Sequence, residues 1–235
     1  MKILFIGNSH TFFNDMPEML HLFGQARGID IDSVQNTAGG RGLDWQAAQF
    51  DVRYNVLFGR YDYIVLQHIA HPFPGRENLL EGAGLLMPFL ERSGAKLVAY
   101  LPWSEKALPE RQAEITEAHR ALIAQYPEML LAPVGLVWDD LRHSHPEIEL
   151  YFRDGEHASP LGSYLIAATI FRLLTGQRTE GLPFTLEMGR PTFAGLTFLS
   201  ATKWQQDFGG PTAYALDPVA CLRITQAVDR LTPGN

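Results

Sequence analysis

The chain has 235 residues, of which 46% are hydrophobic and 19% are charged, a composition typical of a globular protein with a full core. Its net charge of −7 argues against nucleic acid as a partner, because proteins that bind nucleic acid present clustered Lys and Arg. No apolar run of about 18 residues is present, so no membrane span is predicted. The single cysteine, Cys221, excludes an internal disulfide and a cysteine-based zinc site. The N-terminal residues lack the pattern of a signal peptide, and we therefore expect a cytoplasmic protein.

Apolar runs alternate with helical patterns over most of the chain. Strands are predicted over residues 3–6, 29–34, 63–66, 96–101 and 130–134. Helices are predicted from about Met16 to Gly28 and over residues 45–58, 78–92, 109–126, 136–142 and 161–174. Strands that alternate with helices predict an α/β fold, with a mostly parallel five-stranded sheet and helices on both of its faces.

Residues 177–235 break this alternation, because they are rich in Gly, Pro and Thr before a final predicted helix over 218–231. No repeat or low-complexity linker marks a boundary. We therefore predict a single domain over residues 1–235, with 177–235 as a C-terminal extension packed on it.

Polar residues and glycines follow several of the predicted strands. In a doubly wound sheet these strand ends converge on one crevice, where ligands bind. The residues are Ser9 after the first strand, Gly39, Gly40 and Gly42 after the second, Gln67, His68 and His71 after the third, and Asp154 and His157 in a late loop.

A serine, a histidine and an aspartate in such a crevice predict acyl-transfer chemistry. A serine hydroxyl becomes a good nucleophile only when a base takes its proton, and imidazole titrates near neutral pH. Asp154 and His157 are three residues apart, so the carboxylate could orient the ring while its other nitrogen faces Ser9. The oxyanion that develops needs donors, for which the candidates are the amides of Ser9 and Gly40 and the side-chain NH2 of Gln67.

Taken in chain order, these stretches resemble the sequence blocks of the SGNH, or GDSL-like, hydrolases. Gly7-Asn8-Ser9-His10-Thr11 resembles the nucleophile block, the Gly39-Gly40 region the oxyanion glycine block, and Asp154-Gly155-Glu156-His157 the block with base and orienter. The resemblance covers roughly residues 2–175. It implies a flavodoxin-like three-layer α/β/α sandwich and a cofactor-free esterase that cleaves small-molecule or carbohydrate-borne esters through an acyl-enzyme.

The sequence departs from that family at two positions. Asn8 stands where the family has the Asp of Gly-Asp-Ser. Gln67 and His68 stand where the family has a Gly-x-Asn-Asp turn, whose Asn donates to the oxyanion, and we expect Gln67 to replace that Asn.

Four further side chains are predicted to line the substrate cleft: His10, His68, His71 and Trp103. Two alternatives stay open at this point. The altered third block is compatible with a non-catalytic module that binds a carbohydrate or an acyl group in the same cleft. His68 and His71 could instead serve a metal-assisted hydrolase, although no carboxylate accompanies them in the same turn and no metal site is predicted.

Overall fold

A computed structural model describes residues 1–188 and 213–234 of the protein. Its strands are β1 (Lys2–Gly7), β2 (Asp32–Thr37), β3 (Tyr63–Leu66), β4 (Lys96–Tyr100), β5 (Leu130–Ala132), β6 (Thr185–Glu187) and β7 (Ala213–Ala215). Its α-helices are α1 (Ser9–Phe12), α2 (Met16–Ala26), α3 (Leu43–Ala48), α4 (Phe50–Phe58), α5 (Arg76–Ser93), α6 (Gln112–Gln125), α7 (Val134–Ser144), α8 (Pro160–Thr175) and α9 (Pro218–Leu231).

The first five strands form one sheet in the order β2-β1-β3-β4-β5, and every neighbouring pair is parallel. This confirms the predicted parallel sheet. The strand order reverses between β1 and β3, so a crevice opens beyond the carboxyl ends of these two strands. The segments that follow β1 and β3 are therefore the ones placed to form a site.

Alternate residues of β1 pack on opposite faces of the sheet. Ile3 and Phe5 pack into a core formed with α2, α7, α8 and α9, whereas Leu4 and Ile6 pack into a second core formed with α3, α4, α5 and α6. Successive side chains of a strand point to opposite faces, so an unbroken apolar run is buried on both sides. The result is the three-layer α/β/α sandwich that the resemblance implies.

Two predicted elements differ from the structure. The second strand occupies Asp32–Thr37 rather than residues 29–34, because the amide of Ile29 donates to the Gly24 carbonyl and closes the end of α2. The single helix predicted over 45–58 is split into α3 and α4, because Gln49 between them is extended, with a ψ of 133°. Neither change moves a residue of the predicted site.

The C-terminal extension contributes α9, which packs in the same core as α7 and α8, and the antiparallel pair β6–β7. Residues 189–212 of the predicted extension lie outside the described residues. That residues 1–235 form a single domain stays a prediction. Among the helices of the described ranges, none is long and apolar enough to cross a membrane.

His119 on α6 makes the stability of the fold sensitive to acid. Its Nδ1 lies 2.7 Å from the Ile115 carbonyl, and burial lowers the pKa of its ring from 6.5 to about 4. The unfolded chain therefore binds this proton at higher pH than the folded chain does. The titration of His119 therefore does not reduce the stability of the folded state above pH 6.5. As the pH falls from 6.5 to about 4, the unfolding free energy decreases by about 3 kcal/mol.

Urea unfolding of the wild type and of His119→Gln, compared at pH 7 and pH 4, measures this loss. We expect the variant, which cannot titrate at this position, to lose less unfolding free energy than the wild type by about 3 kcal/mol. Equal losses in the two proteins would contradict the assignment.

Candidate active site

The nucleophile candidate Ser9 lies at the crevice because the chain turns sharply from β1 into α1. Gly7 ends β1, and a Cβ at this position would lie 2.4 Å from Thr11 Oγ1 and 2.7 Å from Gln67 Oε1. Only glycine fits so close an approach. Asn8 then caps α1 by accepting the His10 amide, which leaves Ser9 as the first helical residue.

Ser9, His157 and Asp154 form a continuous hydrogen-bonded chain. Ser9 Oγ lies 2.8 Å from His157 Nε2, and His157 Nδ1 lies 2.7 Å from Asp154 Oδ2. The other carboxylate oxygen, Oδ1, accepts the backbone amides of Glu156 and His157 at 2.9 and 3.0 Å. The structure thus brings together three residues that the sequence separates by up to 148 positions.

The charge of Asp154 sets the tautomer of the neighbouring imidazole. Burial raises the pKa of the Asp154 carboxyl, but hydrogen bonds from the Glu156 amide and from His157 outweigh that effect and hold the pKa below its usual value. At neutral pH a carboxylate therefore faces His157 Nδ1, which must donate. The lone pair of Nε2 is left to face the Ser9 hydroxyl.

Phe13 and Asn14, which follow α1, contact His157 and the residue after it. Asn14 Nδ2 donates at 3.0 Å to the carbonyl of Ala158, the residue after His157, and at 2.9 Å to Ser163 Oγ. The Phe13 ring stacks on the His157 ring with centroids 4.2 Å apart. The backbone of Asn14 has a φ of 54°, a conformation in which Asn is enriched.

The two backbone amides predicted to bind an oxyanion are those of Ser9 and Gly40. Gly40 lies in a turn closed by the Arg41 amide on the Ala38 carbonyl, and its φ of 67° favours glycine. Within residues 1–188 and 213–234, neither the Ser9 amide nor the Gly40 amide donates to a protein acceptor. Both amides therefore remain free for a ligand in the described part of the chain.

The structure does not bring Gln67 into the predicted oxyanion site. Its Oε1 accepts the Asn8 amide at 2.9 Å and the Thr11 hydroxyl at 3.1 Å, which fixes the orientation of the side chain. Its Nε2 then faces the His68 carbonyl, to which it donates. Gln67 is buried and ties the end of β3 to the turn that carries Ser9.

The Asn8 side chain donates hydrogen bonds, which the aspartate of a Gly-Asp-Ser turn cannot do. Its Nδ2 donates to the Arg41 carbonyl at 3.0 Å and to the His68 carbonyl at 3.5 Å, and its Oδ1 accepts the His10 amide at 3.1 Å. A carboxylate has no donor for the two carbonyls. The amide therefore joins the nucleophile turn to the glycine loop.

Asn8→Asp is expected to lower the unfolding free energy by about 2 kcal/mol, because a buried carboxylate would face the Arg41 carbonyl without a donor. Urea unfolding measures the effect. The matched control is Asn78→Asp, because Asn78 offers its oxygen to His68 Nε2 and an aspartate keeps that acceptor. Equal effects of the two substitutions would count against this role of Asn8.

The four predicted cleft residues prove to be largely internal. Trp103 is 0% exposed and stacks on Trp138 with centroids 4.0 Å apart, and His68 is 2% exposed. Neither is available to a substrate, so the structure corrects the predicted role of both. His10 is also buried, and its Nε2 lies 2.8 Å from Nδ1 of the half-buried His71.

In His68 and His71, the two histidines considered for a metal, both ring nitrogens already contact protein groups. His68 Nδ1 accepts the Leu43 amide and its Nε2 donates to Asn78, whereas His71 contacts His10 and the Trp103 carbonyl. Among the described residues, no group of three His, Cys, Asp or Glu side chains is placed to hold a metal ion.

No profile of a known protein family and no curated protein matches the sequence. Solved structures do match. A DUF4886 family protein from Bacteroides uniformis ATCC 8492 superposes with a TM-score of 0.74 at 18% identity, covering 98% of this chain and 93% of its own. A carbohydrate esterase family 3 structure from Talaromyces cellulolyticus has a TM-score of 0.60 at 11% identity, covering 73% of this chain and 94% of its own.

A structure assigned to the lipolytic proteins of the G-D-S-L family, from Desulfitobacterium hafniense DCB-2, matches with a TM-score of 0.57 at 17% identity. It covers 73% of this chain and 98% of its own. These likenesses establish that the chain shares its fold with these structures, and the resemblance to the SGNH, or GDSL-like, hydrolases holds at the level of the fold. The match to the DUF4886 family protein covers 98% of this chain, whereas the matches to the other two structures cover 73% of it.

Proposed function

We propose that this protein is a serine esterase of the SGNH type that hydrolyses short acyl esters through an acyl-enzyme. The observation that carries the proposal is the chain of contacts from Ser9 Oγ through His157 to Asp154, with distances of 2.8 and 2.7 Å. Hydrogen bonds of this length, with the base oriented by a carboxylate, are the signature of an activated serine.

In the proposed reaction, Ser9 Oγ attacks the ester carbonyl while His157 Nε2 takes the hydroxyl proton. The amides of Ser9 and Gly40 stabilise the oxyanion, and losing one such donor typically costs about 100- to 1,000-fold in rate. The C–O bond to the alcohol then breaks, and His157 returns the proton to the leaving oxygen. Water, deprotonated by His157, attacks the acyl-enzyme and releases the carboxylic acid and free Ser9.

The substrate is proposed to be a small-molecule ester or an acetyl or short acyl ester carried on a carbohydrate. The fold likeness to a carbohydrate esterase family 3 structure supports testing acetylated sugars. The proposed reaction uses only side chains and backbone amides of this chain, and we propose no cofactor for it.

A fluorophosphonate probe tests this function. We expect it to form a phosphonyl ester on Ser9, located by peptide mass spectrometry, and to abolish hydrolysis of an aryl acetate. Ser144→Ala, which changes an exposed serine at the end of α7, should label and hydrolyse as the wild type does. Hydrolysis that persists without labelling of Ser9 would refute the proposal. Binding of acetylated sugars with neither labelling nor turnover would favour the non-catalytic module.

A further inference from the structure

A second pair of histidines lies directly against the proposed base. His10 follows the nucleophile in the chain, and its ring stacks on the His157 ring with centroids 4.9 Å apart and planes 19° apart. His10 Nε2 lies 2.8 Å from His71 Nδ1. We propose that His10 and His71 form a hydrogen-bonded dyad that positions His157, an inference that rests on the proposed esterase function.

The two shortest hydrogen bonds of the dyad, both 2.8 Å long, have one consistent direction, whereas the contact of His10 Nδ1 with Asn8 Oδ1 is longer, at 3.3 Å. His71 Nε2 lies 2.8 Å from the Trp103 carbonyl, which can only accept, so this nitrogen carries the proton. In a neutral ring, His71 Nδ1 is then an acceptor. His10 Nε2 must donate to it, which fixes the tautomer and the orientation of the ring that lies against His157.

The dyad is held neutral by its surroundings. Burial lowers the pKa of His10 well below its usual value, and the neighbouring His71 and His157 lower it further. Burial also lowers the pKa of His71, although the Trp103 carbonyl and the carboxylates of Glu105 and Glu156 oppose the effect. A neutral His10 adds no positive charge beside His157, which must become an imidazolium during the reaction.

The far end of the dyad is anchored in the core and connected to the loop that carries the base. Trp103 stacks on Trp138 with planes only 4° apart, and it is fully buried. Its Nε1 donates to the carbonyl of Glu156 at 2.9 Å, one residue before His157. A displacement of His71 would therefore be transmitted both to the ring on His157 and to the backbone beside it.

Burial separates this role from substrate binding. His10 is 5% exposed, and the Trp103 that anchors His71 is 0% exposed. A substrate on Ser9 would therefore not contact the buried His10 ring, which is the member of the dyad that lies against His157. Removing this bond should lower kcat while leaving KM nearly unchanged, because positioning affects the transition state more than substrate binding.

His71→Leu and His71→Asn provide the matched test. Leucine has a similar size and removes the acceptor, whereas Asn Oδ1 takes the place of His71 Nδ1 and keeps the bond from His10. For aryl acetate hydrolysis we expect His71→Leu to lower kcat about tenfold with KM changed by less than about twofold. We expect His71→Asn to lose at most about threefold in kcat. A higher KM at unchanged kcat, or equal losses in both variants, would overturn the proposal.

Nitrogen-15 NMR of the histidine rings gives a readout that does not need turnover. In the wild type we expect His10 and His71 as neutral Nε2–H tautomers, and we expect His71→Leu, but not His71→Asn, to shift the His157 ring signals. Unchanged His157 signals in His71→Leu would overturn the dyad proposal. A wild type with neither labelling nor turnover would instead refute the esterase function, so the two failures are distinguishable.

Discussion

Replacing Ser9 with Ala is expected to lower kcat for aryl acetate hydrolysis by roughly 10⁴- to 10⁶-fold. The hydroxyl that lies 2.8 Å from His157 Nε2 is the group that forms the acyl-enzyme in the proposed reaction. What remains is the rate that substrate binding and the oxyanion amides give to direct attack by water. Steady-state kinetics and a probe for covalent labelling measure the loss.

The fold of Ser9→Ala should be intact, because Asn8 rather than Ser9 caps α1. We expect its unfolding free energy to stay within about 1 kcal/mol of the wild type. Substantial residual turnover by folded Ser9→Ala, unaffected by the phosphonate, would show that another group attacks the ester.

Asp154→Asn is expected to lower kcat by about 10⁴-fold, the second of the two largest effects. The amide oxygen can still accept the backbone N–H groups of Glu156 and His157, so the loop should keep its conformation. The amide nitrogen would donate to His157 Nδ1 and drive the ring proton to Nε2. A protonated Nε2 cannot take the proton of Ser9.

Glu156→Gln is the matched control for this substitution, because it makes the same chemical change on an exposed side chain of the same loop. We expect its kcat within about threefold of the wild type at pH 7. Similar losses in the two variants would indicate that Asp154 acts through general charge rather than through the tautomer of His157.

The parts of this protein that sequence alone predicts are those encoded over a few residues. The apolar run before Gly7 and the serine that follows predict a strand end with a hydroxyl. Asp154 and His157 are three residues apart, so their mutual contact depends only on a local turn. The parallel sheet follows from the alternation of apolar strands and helices, and strand order then brings the ends of β1 and β3 together.

The parts that sequence does not predict depend on contacts between distant segments. His10 and His71 are 61 residues apart, and only the packing beside Trp103 shows that they bind each other rather than a substrate. Gln67 has the right chemistry for an oxyanion donor, but the Asn8 amide and the Thr11 hydroxyl orient its oxygen and turn its nitrogen away. Side-chain orientation of this kind has no signal in residue spacing.

The contacts of Asn14 have a consequence for motion in the site. Asn14 belongs to the segment that carries Ser9, and its amide is bonded to the residue after the base and to α8. We therefore expect thermal displacement of the loop that carries His157 to carry the Ser9 segment with it. The separation of Ser9 and His157 should then vary less than the position of either residue in the molecule.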